Sequence, residues 1–390
     1  MSLIFKNRKS VTKDENSSSS SEDIRRRYMK RRLIYLLTTI ISIFGFILLI
    51  IWIISLFRKE TYNYRDVEKT MKNAAIMYFK DNKSKLPSDE NQIVEITDKT
   101  LSNNNYMKPL SKYVKSNKCS GKVTVQKDSD GYLYVPYLNC DKGYTTKSLY
   151  ETATANTVDS GAGLYNYTGT YVYRGEAVNN YVQLDNNLWR IVKITSDHRI
   201  VLISDFSYLS SYFWDDRYNV DFGYNSGINN YRQSRIKDHL NKLYNYKVDT
   251  DRILSDADKT KLSSFDLCVG KRSVNSVGKD NSLECSDILS DQKIGLLTVS
   301  DYLNASIDPN CNNLGDYSCQ NYNYLYSNYK WLLVTASSDN SKDVFVVDDS
   351  GVVHSQLAAG YGRIRPVVYL NNSVTIKDGD GSFNNPYLVN

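Results

Sequence analysis

The chain of 390 residues is long enough for two folded units and an accessory segment. Its formal charge of +6 is unevenly held: residues 1–59 carry 12 Lys/Arg against 4 Asp/Glu, leaving 37 against 39 in the remainder. The larger part is therefore near neutral and lacks the concentrated basic face that phosphate binding needs, so no nucleic-acid partner is expected.

All six cysteines, Cys119, Cys140, Cys268, Cys285, Cys311 and Cys319, lie beyond residue 60. An even number on one side of an apolar segment points to disulfides in an oxidising space, with six buried thiols as the alternative. The histidines are only His198, His239 and His354, and there is no C-x-x-C pair, so neither a metal site nor a cofactor is expected.

In chain order, residues 1–32 contain "KDENSSSSSEDIRRR", which is too polar to bury a core and predicts a disordered, basic cytoplasmic tail. Leu33 to Phe57 follow without a charge. These 25 residues would form a helix of roughly 37 Å, enough to cross a hydrocarbon layer of about 30 Å. A cleaved signal would have a shorter apolar run and a small-residue cut site. Arg25, Arg26, Arg27, Lys30, Arg31 and Arg32 precede the run, whereas Arg58 and Lys59 are soon followed by Glu60. The positive-inside bias then places the N-terminus in the cytoplasm and the rest outside, with the bilayer as partner of Leu33 to Phe57.

Residues 61–147 read as a membrane-proximal helix-plus-hairpin domain. Val67, Met71, Ala74, Ala75 and Tyr78 form one helical stripe that Pro87 should stop. "GKVTVQKDSDGYLYVPYLNC" reads as two strands about the turn Asp128-Ser129-Asp130-Gly131, a register that sets Cys119 opposite Cys140. An apolar helix, an amphipathic helix and a small antiparallel sheet, in that order, resemble the layout of type IV pilins and pseudopilins. The resemblance covers only this first third. Gly45 lies inside the apolar run, and Ile50 stands where a mature pilin has its glutamate, so pilin-type processing is not expected.

Residues 148–163, including "TATANTVDSGAG", have no apolar period and read as a linker. Residues 164–390 read as an outer domain. "LWRIVKI" and "RIVLIS" flank Thr195-Ser196-Asp197-His198 as one hairpin, and "DVFVV" and "VVHS" flank Asp348-Asp349-Ser350-Gly351 as another. Ile236, Leu240, Leu243 and Tyr244 share a helix face after Ser234 as N-cap, and Thr298 with Asp301 has capping-box spacing. The fold class predicted is α+β: a single transmembrane helix, a small pilin-like domain and a larger domain of irregular antiparallel sheets.

The closing "IKDGDGSFNNPYLVN" alternates aspartate with glycine. Counted from Asp378 as an EF-hand, the sixth and twelfth positions fall on Phe383 and Val389 rather than glycine and glutamate, so the segment reads as a turn between two strands. That segment, with "YVYRGEAVNNYVQLDNNLWRIVKI", "QSRIKDHLNKLYN", "IGLLTVSDYLNAS", "YKWLLVTAS" and "GRIRPVVYLNNSVTI", resembles a family of bacterial extracellular domains of unknown function. That family is similar to the C-type-lectin-like and formylglycine-generating-enzyme (sulfatase-modifying) folds, and the resemblance spans most of residues 165 to 390. It implies a lectin-like outer fold without implying one activity. Formylglycine-generating enzymes need a late cysteine pair, and none follows Cys319. Calcium-dependent lectins carry Glu-Pro-Asn and Trp-Asn-Asp; the first is missing here, and the nearest triplet, Trp214-Asp215-Asp216, is altered and early.

The stretch "YLSSYFWDDRYNVDFGYNSGINNYR" interleaves rings with short polar groups, a composition suited to recognition. Its candidate binding residues are Tyr212, Trp214, Asp215, Asp216, Tyr218 and Tyr224, with ordinary packing as the alternative in a chain of 33 tyrosines. No nucleophile elbow, carboxylate pair across a cleft or phosphate loop is visible, so an enzyme is not expected. The function expected is a single-pass bacterial surface protein whose outer domain binds a glycan, wall polymer or surface protein. The alternatives are a pseudopilin-like envelope component and an enzyme with an unrecognised site.

Overall fold

A computed structural model describes residues 16–57, 63–89, 92–114, 118–128, 131–140, 143–245 and 253–390. Residues 1–15, Arg58, Lys59, Glu60 and the turn residues Ser129 and Asp130 lie outside the described residues.

Helix α1 spans Asn16–Phe57, and its side chains from Leu33 to Ile50 are all exposed. By length and composition this apolar surface suits a membrane span or a secretion signal. The hydroxyls of Thr38 and Thr39 donate to the carbonyls of Tyr35 and Leu36, which removes their need for water. Residues 16–32, expected to be disordered, are helical. Extending a helix that is already nucleated costs little per residue, and Asp23 and Arg27 stand at the supportive four-residue spacing.

Tyr62–Asn390 forms one compact unit containing two separate apolar cores. In the smaller, helix α2 (Tyr64–Asp81) buries Val67, Met71, Ala74, Ala75 and Tyr78 against Ile96, Val123, Val125 and Leu138. Each large side chain buried this way contributes about 1.5–3 kcal/mol. The helix stops before Pro87 because Asn82 donates both its backbone N–H and its side-chain amide to the Tyr78 carbonyl. The facing sheet runs β1 (Ile93–Thr97), β2 (Ser120–Asp128), β3 (Gly131–Asn139), all antiparallel. Asp128 pairs with Gly131 and Ser120 with Asn139, and the Cys119–Cys140 disulfide closes the open end of that ladder. Two further disulfides join Cys268 to Cys285 and Cys311 to Cys319, so no thiol is free.

The expected linker is instead part of the outer domain. Lys147–Ser148 adds an edge strand to the outer sheet, Ser148 caps the helical turn Leu149–Thr154, and Leu149 and Ala153 enter the outer core. The smaller core is also tied across: Arg65 of α2 donates to the Lys377 carbonyl at 2.8 Å and to Asn390 Oδ1 at 3.1 Å.

In the outer domain β4 (Asn187–Ile194) and β5 (Ile200–Ser204) form the first predicted hairpin. β6 (Tyr208–Phe213) leads through a long loop to α3 (Arg235–Asn245), whose start is held by Ser234 Oγ accepting from Lys237 N. α4 (Val299–Ala305) carries the predicted capping box of Thr298 and Asp301. β7 (Trp331–Ser337) precedes the second hairpin, β8 (Asp343–Val347) with β9 (Val353–Leu357). β10 (Thr375–Asp378) and β11 (Tyr387–Val389) are the strands of the tail segment. Between them Gly379 and Gly381 have φ of 96° and 80°, the left-handed conformation that only glycine adopts freely.

One outer sheet runs Leu262–Ser263, Val367–Leu370, β5, β4, Tyr181–Leu184, β11, β10 and Lys147–Ser148; a second runs β6, Tyr361–Ile364, β7, β8 and β9; a third is the pair Phe265–Cys268 and Ile288–Gln292. The architecture is mixed α+β. A long apolar N-terminal helix is a secretion signal or a membrane anchor, and with three disulfides it marks a secreted or membrane-anchored extracytoplasmic protein.

Candidate functional site

β6 pairs with Tyr361–Ile364, and the chain then turns into the core at Trp214. The Trp214 indole has no exposure and donates through Nε1 to the Leu333 carbonyl at 3.0 Å. Asp215, equally buried, accepts from Arg217 Nε at 2.8 Å and from the backbone N–H groups of Arg217, Ile228 and Arg235. Arg235 opens α3, so this carboxylate also sits where the helix dipole favours an anion. Gly227, at φ 81°, lets the returning backbone pass over the Asp215 carbonyl, where any Cβ would collide. One aspartate thus ties both ends of the loop.

Trp214 and Asp215 therefore leave the set of binding candidates. Their polar atoms are taken up by the fold and neither reaches the surface. The composition of the loop could not separate rings that pack from rings that project, since both kinds are flanked by the same small polar residues.

Tyr212 and Asp216 do come together, in a cleft of about 460 Å³ between β6 and α3. The Tyr212 ring lies over the His239 imidazole with centroids 3.8 Å apart, and Asp216 pairs with Arg235 Nε at 2.7 Å. α3 turns Ile236, Leu240 and Leu243 inward, which leaves Asp238, His239 and Lys242 to line the opening. Burial, and secondarily the Lys242 charge, lower the His239 pKa, so the imidazole is neutral near pH 7. Arg217 lines the same cleft. Among the described residues, neither Arg217 Nη2 nor His239 Nε2 finds a hydrogen-bond partner, although both atoms are buried.

Tyr218 and Tyr224 lie apart from this lining, on the outer part of the loop, 56% and 44% exposed. Asn219 holds that part in place by donating to the Gly227 and Ser341 carbonyls. Lys342 Nζ stands 3.9 Å from the centre of the Phe222 ring and 5.8 Å from that of Tyr224, a cation against two aromatic faces.

Arg217, Asp238, His239 and Lys242 were not foreseen as site residues. The sequence signal for them is the polar side of α3, opposite the stripe of Ile236, Leu240 and Leu243, and the four-residue spacing of Asp238 and Lys242 around His239. Among the described residues no three His, Cys, Asp or Glu side chains are grouped to hold a metal ion. No protein-family model, curated protein or solved structure matches the chain.

Proposed function

We propose that the chain is a single-pass surface protein, anchored by α1 with its arginine-rich end in the cytoplasm, whose outer domain recognises a ligand outside the cell. The observation that carries this reading is the cleft between β6 and α3, where an aromatic ring and several charged side chains converge with two buried nitrogens that lack partners among the described residues. Concave sites with a few convergent polar groups are where small ligands and sugars bind. The loop-rich sheets support relating the outer domain to the C-type-lectin-like folds, although they are mixed rather than purely antiparallel as expected: β11 runs parallel to Tyr181–Leu184, and β7 parallel to Tyr361–Ile364. The role proposed is binding rather than catalysis, with a glycan, wall polymer or surface protein as ligand.

Glycan-array and pull-down screening of the full chain in lipid nanodiscs tests the reading. A ligand lost on Tyr212→Leu is expected; a folded sample that retains no glycan or surface protein in either screen overturns it. A structural role in an envelope assembly is the second reading, favoured by the packing of α2 on a three-stranded antiparallel sheet directly after an apolar helix. It requires co-purification with other envelope proteins that is lost when the α2 surface is changed.

A further inference from the structure

We propose that the cleft between β6 and α3 receives a sugar bearing a carboxylate. The inference rests on the recognition reading above and narrows its ligand.

Asp215 engages Arg217 Nε and so is spent on the fold, whereas Asp216 Oδ1 stands 2.7 Å from Arg235 Nε as an ion pair without a hydrogen bond among the described residues. Arg217 Nη2 and His239 Nε2 remain, buried, beside the same opening and without a partner among the described residues. Buried polar atoms are paired in the large majority of folded structures, and an unpaired one asks for a reason. With Asp216 Oδ1 there are three at one cleft, and they have a common reason if a group carrying both oxygen acceptors and hydroxyl donors completes them. A guanidinium nitrogen is best completed by an anion, since charge-assisted bonds are roughly twice as strong as neutral ones. Lys242, one turn beyond His239 on α3, adds a cation at the rim.

The remaining lining argues for more than a bare anion. Asp238 offers acceptors suited to hydroxyl donors, and Tyr212 offers a half-buried ring on which the C–H face of a pyranose can rest. A free carboxylate would leave both unused, and a neutral sugar would give Arg217 Nη2 only an uncharged acceptor, the weaker kind of bond, although Asp215 already pairs that guanidinium. At about 460 Å³ the cleft is within the usual range for small-molecule sites, about 300–1,000 Å³.

The test is calorimetric titration of the full chain, in nanodiscs of uncharged phosphatidylcholine, with trigalacturonate, its methyl ester and acetate. The acid should bind about tenfold or more tightly than the ester, and acetate far more weakly than either. His239→Gln and Lys242→Ala, at unchanged melting temperature, should each weaken the acid about three- to tenfold while sparing the ester. Equal binding of acid and ester, both lost in Tyr212→Leu, overturns the carboxylate and leaves the recognition reading standing. Acid binding undiminished in His239→Gln and Lys242→Ala overturns the site. Acetate binding as tightly as the acid overturns the sugar. If these sugars, the wider array and the pull-down all fail to yield a ligand for the folded chain, the recognition reading fails together with this one.

Discussion

Arg272 Nη1 lies 3.3 Å from Glu284 Oε1, and neither side chain has any exposure. The pair stands beside the Cys268–Cys285 bridge and is fully bonded: Glu284 accepts from the Ser300 hydroxyl and backbone N–H, and Arg272 donates to Ser300 Oγ and the Gly278 carbonyl. Removing one partner leaves an uncompensated buried charge, whereas removing both does not. Glu284→Ala should destabilise the outer domain by about 3–5 kcal/mol, and Arg272→Met with Glu284→Leu by clearly less. Urea unfolding followed by tryptophan fluorescence measures both; equal losses in the single and double variants would contradict the pairing.

Lys193 of β4 reaches Asp301 of α4 at 2.6 Å, and the same carboxylate accepts from the Thr298 backbone as part of the capping box. Burial pushes the Asp301 pKa up, but Lys193 and the Thr298 bonds outweigh it and the net direction is down. A carboxylate depressed in the folded state contributes stability above its unfolded value, near 3.8, that is lost as pH falls through the folded one. Asp301→Asn should therefore lower stability at pH 7 and flatten its fall below about pH 4. An acid titration of the melting temperature that keeps the wild-type slope would count against this.

His239 has the opposite chemistry and the same sign. Its folded pKa lies below the ordinary 6.5, held down by burial and Lys242 in a setting that also includes Asp238, Asp216 and Tyr212. Below pH 6.5 the unfolded chain binds the proton more readily, so the stability held by a neutral imidazole is lost as pH falls. His239→Gln should lessen the decline between about pH 6.5 and 5. A variant whose melting temperature tracks the wild type across that interval would exclude the effect.

The Cys119–Cys140 bridge closes a hairpin whose ends are 21 residues apart in sequence. Cys119→Ser with Cys140→Ser should lower stability by about 2–4 kcal/mol. It should act on the smaller core, so amide exchange should rise in α2 and β1–β3 before the outer sheets. A uniform rise across both cores would show that they unfold as one.

The proposed orientation predicts that protease added to intact cells removes the outer domain while an epitope placed before Arg25 survives. Survival of the outer domain, with loss of the epitope, would reverse the topology.

What was legible in the sequence was local. The Cys119–Cys140 register, the stripe from Val67 to Tyr78, the Ser234 cap and the Thr298–Asp301 box each depend on spacings of a few residues, and local propensity agrees with the fold at these places. What failed depends on distant partners. Leu149 looks unremarkable until Thr375–Asp378 comes to pair with the strand before it, and Trp214 looks like a surface ring until Leu333 supplies its acceptor. Of the candidate site, Tyr212 and Asp216 stand out in the sequence as part of an aromatic and polar stretch, but His239 and Lys242 enter only because α3 packs with its polar side toward β6.

β11 lies between β10 and Tyr181–Leu184 and runs parallel to the latter, so residues 387–389 fill an interior slot of a sheet whose first strand is Lys147–Ser148. In the proposed orientation the chain threads outward from its anchored end and cannot shut that slot until those residues have crossed. Translocation and maturation of the outer domain are thereby coupled: stalling export a few residues short of Tyr387 would leave strand edges open on the outside, exposed to proteases and to neighbouring copies.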